Sequence, residues 1–407
     1  MTDTQNIIDM DQLDHSKCRV WEFSQDFCVT CGLCASSCPA SGIDGFDPRM
    51  LVRMVSLGLV EELVEARWPW ICTMCGKCEN VCPMQIDIAD LIRKIRSERE
   101  REKVPGILHK GLVAALETGN NLRLPKDDFM FIIEDVAEEI AGEPGFEGFK
   151  ASIDKKSANL LTTIHNKLVN THTEDLKHWW KIFHVAQEDW TVTSENWEGT
   201  SWGYFTGDDD AMKVMAGRIV EQMEKLQIKN LLWPERGHAY LATRSGLEKH
   251  YPEALTKFGC VTVFDLLITY IKEKRIRLDR SRFTQLATYH DPCNYGRRAQ
   301  KRFGHGFFDE PRWILDQCLK NWIDLYPNRM DQICCGGGGG TMTTGYNDER
   351  IFYARKKIDQ IRATGAKMLV VPCHSCHGQF NNVKSEYDFE DLEVKYLWEL
   401  VADCLIL

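Results

Sequence analysis

Two cysteine runs constrain this 407-residue chain more than any other feature. The first reads Cys28-Val-Thr-Cys31-Gly-Leu-Cys34-Ala-Ser-Ser-Cys38-Pro39, the second Cys72-Thr-Met-Cys75-Gly-Lys-Cys78-Glu-Asn-Val-Cys82-Pro83. In the C-x2-C-x2-C-x3-C-P spacing three neighbouring thiolates grip one face of a [4Fe–4S] cube, and where two runs occur the fourth cysteine of each ligates the other cube. The spacing therefore assigns Cys28, Cys31, Cys34 and Cys82 to one cubane cluster, and Cys72, Cys75, Cys78 and Cys38 to a second. A zinc ribbon has no use for the fourth Cys-Pro.

Between the runs a helix is expected, with Asp47 as N-cap, Pro48 in the first helical position and apolar residues at Leu51, Met54, Val55, Leu59 and Leu63. A second helix, from about Ile86 to Lys103, closes a helical two-cluster domain over residues 1–104. Its charged end, Arg96 to Lys103, reads as a solvated face. Residues 105–200 read as a helical or irregular connecting region: a helix over Gly106 to Glu117, a loop over Gly142 to Gly148, and a crowd of tryptophans (Trp179, Trp180, Trp190, Trp197, with Trp202 just beyond) read as core rather than partner surface.

Five further cysteines fall at punctuated places: Cys293 after His290-Asp291-Pro292, the pair Cys334-Cys335 before five glycines, and Cys373-His-Ser-Cys376 after Pro372. Five thiolates at one point are one more than a tetrahedral zinc site or a simple cubane takes. A structural zinc site using Cys373, Cys376 and two others is the competing reading. The glycine run is no phosphate loop, because the Lys-Ser/Thr partner is missing.

Residues 201–407 carry an internal repeat at an offset of 138 residues, with Ala216, Arg218, Val220, Gln222, Leu231 and Pro234 matching Ala354, Lys356, Ile358, Gln360, Leu369 and Pro372. Helix followed by strand in two copies implies an α/β domain of two lobes, 201–283 and 284–407. The thiolates do not repeat. Glu235 stands opposite Cys373, His238 opposite Cys376, and Tyr204 to Asp208 is the expected match to Tyr289 through Cys293, so the first lobe is ligand-depleted. Asp208, Glu235 and His238 offer a carboxylate–imidazole metal site, but a polar cluster at the lobe interface is the preferred reading. Cys18, Cys260, Cys318 and Cys404 read as small buried apolar residues.

A net charge of −10 argues against a nucleic-acid surface. No run of eighteen apolar residues and no leader-like start is present, so the expectation is a cytoplasmic chain that does not span a membrane. Seventeen cysteines in such a chain read as metal ligands and redox groups. The terminal Cys404-Leu-Ile-Leu fits a prenylation box in form only, being preceded by what reads as a packed helix.

Tyr-His-Asp-Pro-Cys293, Cys334-Cys335-Gly-Gly-Gly and Val-Pro-Cys373-x-x-Cys376, joined to a two-cluster unit, resemble the cysteine-rich CCG proteins related to HdrD of the heterodisulfide reductases. The likeness covers about Asp26 to Val104 and Thr200 to Leu400. Within that family the chain is similar to DsrK-like catalytic iron–sulfur subunits of membrane respiratory complexes in sulfate reducers. The resemblance implies an α+α/β fold: a helical two-[4Fe–4S] ferredoxin domain followed by a two-lobed α/β CCG domain. It implies a noncubane [4Fe–4S] cluster on Cys293, Cys334, Cys335, Cys373 and Cys376, where a disulfide or thiol is reduced or oxidised. Implied partners are a membrane cytochrome subunit, other subunits of a respiratory complex and a small thiol/disulfide carrier protein. The chain would then sit on the inner face of the cell membrane through its partners.

In that setting His290, His374 and His377 are candidate proton carriers, His290 first because it sits in the turn that places Cys293, with a hydrogen bond that only orients the ligand loop the preferred role for each. Arg297 and Arg298 would orient a thiolate or acidic partner, or brace the ligand loop. Two other readings share the motifs: an electron-transfer subunit that binds no substrate, and the iron–sulfur subunit of a lactate, glycolate or glycerol-3-phosphate dehydrogenase. The last needs a separate flavin-bearing partner, since no GxGxxG follows a strand here.

Overall fold

A computed structural model describes residues 27–197 and 201–407, so Cys18 and the N-terminal stretch read for a leader lie outside the described residues. Asp47 accepts the Met50 amide at 2.8 Å and Pro48 follows it, so helix α1 (Pro48–Ser56) starts where its cap dictates. Leu51, Val52 and Val55 bury its inner face. Asp87 caps α2 (Ile88–Ser97) in the same way, accepting the Asp90 amide. This helix stops at Ser97 rather than running to Lys103. Arg96 also departs from expectation: it is 1 % exposed, its guanidinium donating to the carbonyls of Pro69, Cys72, Phe205 and Gly339. A guanidinium has five donors, and here backbone carbonyls meet them in place of water.

The remaining chain builds two four-stranded parallel sheets. One has the order β2-β1-β3-β4, from β1 (Leu160–Thr162), β2 (Trp190–Thr191), β3 (Asn230–Leu232) and β4 (Gly259–Val261). The other has the order β6-β5-β7-β8, from β5 (Ala287–Tyr289), β6 (Trp322–Asp324), β7 (Met368–Val371) and β8 (Glu393–Tyr396). Helix α3 (Asp209–Lys225) precedes β3 and α4 (Gly237–His250) follows it; α5 (Asn347–Arg362) precedes β7 and α6 (His374–Val383) follows it. Helices α3 and α5, and strands β3 and β7, start 138 residues apart, the offset of the sequence repeat.

Two expectations are corrected. The boundary at residue 201 cuts through the first sheet, because β1 and β2 come from the stretch read as a connector. Such short, buried parallel strands carry no alternation by which to see them. Leu160 pairs with Asn230 as Ala287 pairs with Met368, so β1 is the counterpart of β5 and Asn166 occupies the place of Cys293. Tyr204 to Asp208 is not that counterpart; Ser201–Thr206 is helical.

The tryptophans are core. Trp179 stacks on Trp398 at 5.9 Å between ring centres, and Trp180 packs against Trp190 at 5.7 Å. A second hydrophobic cluster joins α1 and α2 to the cysteine loops of the second lobe, making the two domains continuous in packing. Cys318 and Cys404 are fully buried beside each other, and Cys260 is half-buried. Among the described residues no helix is long and apolar enough to cross a membrane.

Candidate metal centres

Cys28, Cys31, Cys34 and Cys82 line one small cavity together with Val52 and Pro83. Cys38, Cys72, Cys75 and Cys78 line a second with Trp68 and Ile88. Each group takes three cysteines from one run and one from the other. Gly32 and Gly76, in the left-handed region at φ 81° and 70°, turn each loop into its short helix. A Cβ on Gly76 would come within 2.7 Å of Arg298. Burial pushes the thiols of Cys34 and Cys72 up to about 11, so holding a metal here means displacing protons that bare burial retains. Four thiols around one small cavity suit a [4Fe–4S] cluster in donor type and number.

The other five cysteines meet at the carboxyl ends of β5 and β7, the part of a parallel sheet where loops converge. Cys293 follows β5 and opens a π turn over Asn294–Arg298; Cys373 caps α6, and Cys376 lies one turn on; Cys334 and Cys335 arrive on the loop after β6. All five are buried. The Cys335 and Cys376 sulfurs stand 3.4 Å apart, and the amides of Gly336 and Gly337 point at Cys334 and Cys335. Hydrogen bonds from Cys334 and Cys376 hold the Cys335 thiol well below its ordinary range, and those from Cys376 and nearby amides bring Cys373 down to about 6. Hydrogen bonding to neighbouring thiols and burial push Cys293 and Cys376 well above theirs, so the five thiols share protons that a metal centre would have to displace.

The glycine run serves a contact that sequence reading does not anticipate. A Cβ on Gly338 would stand 2.9 Å from both the Thr73 carbonyl and His238 Nε2, and one on Gly339 would stand 2.6 Å from the Cys72 carbonyl. The Cys72–Cys75 loop thus presses onto the backbone behind Cys335. Thr73 Oγ1 lies 3.5 Å from Cys334 Sγ and 2.9 Å from the Tyr353 hydroxyl, which is 3.6 Å from Cys75 Sγ. Arg297 donates to the carbonyls of Cys75, Met330 and Gln332, and Arg298 pairs with Glu79 and Asp87. Both arginines brace the domain contact.

Of the three histidines, His374 donates to Glu235 at 2.9 Å and lies 2.9 Å from the Tyr396 hydroxyl, while His377 donates to the Val394 carbonyl. His290 is 1 % exposed, and among the described residues neither of its ring nitrogens has a hydrogen-bond partner. One of these nitrogens, Cys335 Sγ and Cys376 Sγ all lie within 4.8 Å of one another. Burial holds this imidazole neutral, its pKa well below the usual value.

Glu235 and His238 reach across from the first lobe as a polar cluster: Glu235 to His374, and His238 Nε2 accepting the Gly339 amide at 3.0 Å. Asp208 is elsewhere, capping α3 and pairing with Arg101. Beside this interface lies a cavity of about 240 Å³, its wall including His165, Lys167, Arg236, Gly337, His374 and Ser375. Gly337, His374 and Ser375 fall within the sequence motifs, whereas Thr73, Tyr353, His165, Lys167 and Arg236 carry no spacing signal of this site.

A family model described as a 4Fe–4S dicluster domain matches residues 24–86, and one described as a cysteine-rich domain, CCG, matches residues 287–381. The chain joins a 4Fe–4S dicluster domain to a CCG domain. The iron–sulfur subunit 2 of an Hdr-like menaquinol oxidoreductase from Archaeoglobus fulgidus is 24% identical over 96% of this chain and 81% of its own length. The HdrD polypeptide of the dihydromethanophenazine:CoB–CoM heterodisulfide reductase of Methanosarcina mazei is 25% identical over 93% of this chain and 94% of its own. A probable membrane-anchored ferredoxin of Chromohalobacter salexigens is 22% identical over 93% of this chain and 60% of its own. The dicluster match spans the eight cysteines of the two runs, and the CCG match spans the five buried cysteines.

Proposed function

We propose that this chain is the iron–sulfur subunit of a membrane-bound, heterodisulfide reductase-like oxidoreductase, held at the cytoplasmic face by a cytochrome partner and acting on the thiol/disulfide of a small sulfur-carrier protein. Iron–sulfur clusters, when bound, would move single electrons through the two cubane-type groups and offer iron to a substrate sulfur at the five-cysteine site. One observation carries the reading: five buried cysteines converge behind β5 and β7, with Thr73 beside Cys334, and with Gly337 and Ser375, within two residues of Cys335 and Cys376, on the wall of the cavity of about 240 Å³.

Reduction of a disulfide to two thiols takes two electrons and two protons. The residues of this chain divide that task. Gly337 and Ser375, each one or two positions from a ligand cysteine, are small residues on the cavity wall. His374, fixed between Glu235 and Tyr396, presents a held imidazole at its wall. Lys167 and Arg236 make the wall cationic, which favours a thiolate over a thiol. The cavity is smaller than a drug-sized pocket, so it suits one cysteine side chain or a small thiol.

The test is electron paramagnetic resonance of anaerobically purified, oxidised protein, before and after addition of a carrier-protein dithiol. A signal that appears only with the thiol and is absent in Cys335→Ala supports the reading. No change with any thiol, in a sample carrying about twelve irons for three [4Fe–4S] centres, assigns the chain to electron transfer alone.

A further inference from the structure

Lys357 lies in the middle of α5, one turn beyond Tyr353, and is fully buried at 0 % exposure. Its ammonium donates to Gln360 Oε1 at 2.5 Å. Among the described residues no carboxylate lies within ion-pairing distance of it. The acid nearest in influence, Asp291, is already engaged: both its oxygens take the Arg312 guanidinium at 2.8 Å, and one also accepts the Arg329 amide. An ammonium buried without a counter-ion costs several kcal/mol, so a negative charge must compensate it elsewhere. Helix α5 backs the five-cysteine site: a Cβ on Gly336, next to Cys335, would stand 3.1 Å from the Tyr353 ring and 3.3 Å from the Arg350 carbonyl. Burial brings the Lys357 ammonium down to about 8 although Asp291 and the thiols of Cys335, Cys334 and Cys376 favour its charged form.

The repeat supplies an internal control. The position 138 residues earlier, on α3, is Ile219, buried at 2 % exposure. Gln360, the hydrogen-bond partner, keeps its counterpart in Gln222, and Ala354 keeps Ala216. In the lobe where Glu235 and His238 replace Cys373 and Cys376, the buried cation is an aliphatic side chain. In the lobe with five thiols, a core-facing helix position that would be worth more to stability as isoleucine carries a charge instead.

We propose that Lys357 is the fixed positive charge of the five-cysteine site, offsetting the negative charge of its thiolate-ligated centre and raising that centre's reduction potential. This rests on the reading that the five cysteines hold an iron–sulfur centre. A cation close by favours the state with one more electron, and the low dielectric of the site leaves little solvent to screen it. The same charge favours a substrate sulfur arriving as thiolate.

The experiment is a potentiometric titration, followed by paramagnetic resonance, of the full chain and its Lys357→Met and Lys357→Arg variants, with iron counted in each. Methionine keeps length and apolar bulk while removing the charge. The expected result is that Lys357→Met lowers the midpoint of the five-cysteine centre by at least a tenfold change in its reduced-to-oxidised ratio, about 59 mV for a one-electron couple. The centre of Cys28, Cys31, Cys34 and Cys82 should stay where it was, and Lys357→Arg should retain the native midpoint. Loss of the centre in Lys357→Met with retention in Lys357→Arg supports the same charge role, read in assembly. An unshifted midpoint in Lys357→Met, or loss of the centre in both variants, overturns it. Wild-type protein with about eight irons instead of about twelve would instead refute the five-cysteine centre itself.

Discussion

The Tyr353 hydroxyl stands 2.9 Å from Thr73 Oγ1, and through these two side chains the sulfurs of Cys75 and Cys334 share one hydrogen-bonded seam. Hydrogen bonds to ligand sulfurs stabilise the more negative, reduced state and so raise a cluster's potential. Tyr353→Phe and Thr73→Val should each lower the midpoint of the centre they touch by on the order of 50 mV, the equivalent of one hydrogen bond of about 1 kcal/mol. Iron content should be unchanged. Redox titration of both variants checks this; midpoints identical to wild type would mean that the seam is packing only.

Arg96 joins three parts of the molecule, the loop of Pro69 and Cys72, the helix of Phe205 and the glycine run at Gly339. Arg96→Ala strands four buried carbonyls at roughly 1–3 kcal/mol each, so a loss of about 4 kcal/mol or more is expected. Arg96→Lys should recover little, since an ammonium cannot span the same fork. Denaturant midpoints followed by tryptophan fluorescence provide the measurement, and a midpoint within experimental error of wild type would remove Arg96 as the clamp.

How much of the molecule is legible in its sequence follows from how local each signal is. The crossed grouping of Cys28, Cys31, Cys34 and Cys82 against Cys38, Cys72, Cys75 and Cys78 is legible because spacing within a dozen residues sets the geometry. Likewise Asp47 and Pro48 announce α1, and the 138-residue offset announces two lobes. The strands β1 and β2 are not legible: at three and two residues, buried on both faces, they present no period, and the tryptophans around them dominate the pattern. Arg96 is hidden because a charged run normally marks solvent, and only backbone carbonyls 24 to 243 residues distant supply its acceptors. Lys357 against Ile219 stands openly in the repeat; its meaning needs the burial.

The glycine run makes a prediction separable from ligand chemistry. At Gly338 an added Cβ meets backbone oxygen of Thr73 and the His238 ring at 2.9 Å, neither of which is the free end of a flexible chain. Gly338→Ala should therefore cost roughly 1–3 kcal/mol as overpacking and deplete iron from the five-cysteine site before the centre of Cys28, Cys31, Cys34 and Cys82. Gly142→Ala, where the new Cβ comes no closer than 3.4 Å to anything, is the control and should be neutral. Equal iron in both variants would mean that the domain contact yields at Gly338 without consequence.

Acid should weaken the lobe interface through its neutral imidazoles. Burial brings His238 down to about 3, from an ordinary 6.5, and holds His165 well below its usual value. Between pH 8 and 5.5 the unfolded chain takes a proton on each while the folded chain takes none, so stability falls as pH falls through the unfolded value. Each group contributes about 1.4 kcal/mol over that window, and the pair about 3 kcal/mol. His238→Gln keeps an acceptor for the Gly339 amide and removes the titration, so it should flatten the pH dependence by about 1.4 kcal/mol relative to wild type. The measurement is the difference between the two proteins' denaturant midpoints at pH 8 and at pH 5.5, which cancels the acid lability of any bound cluster. Parallel pH profiles for wild type and variant would show that His238 takes up its proton in the folded chain as it does in the unfolded one.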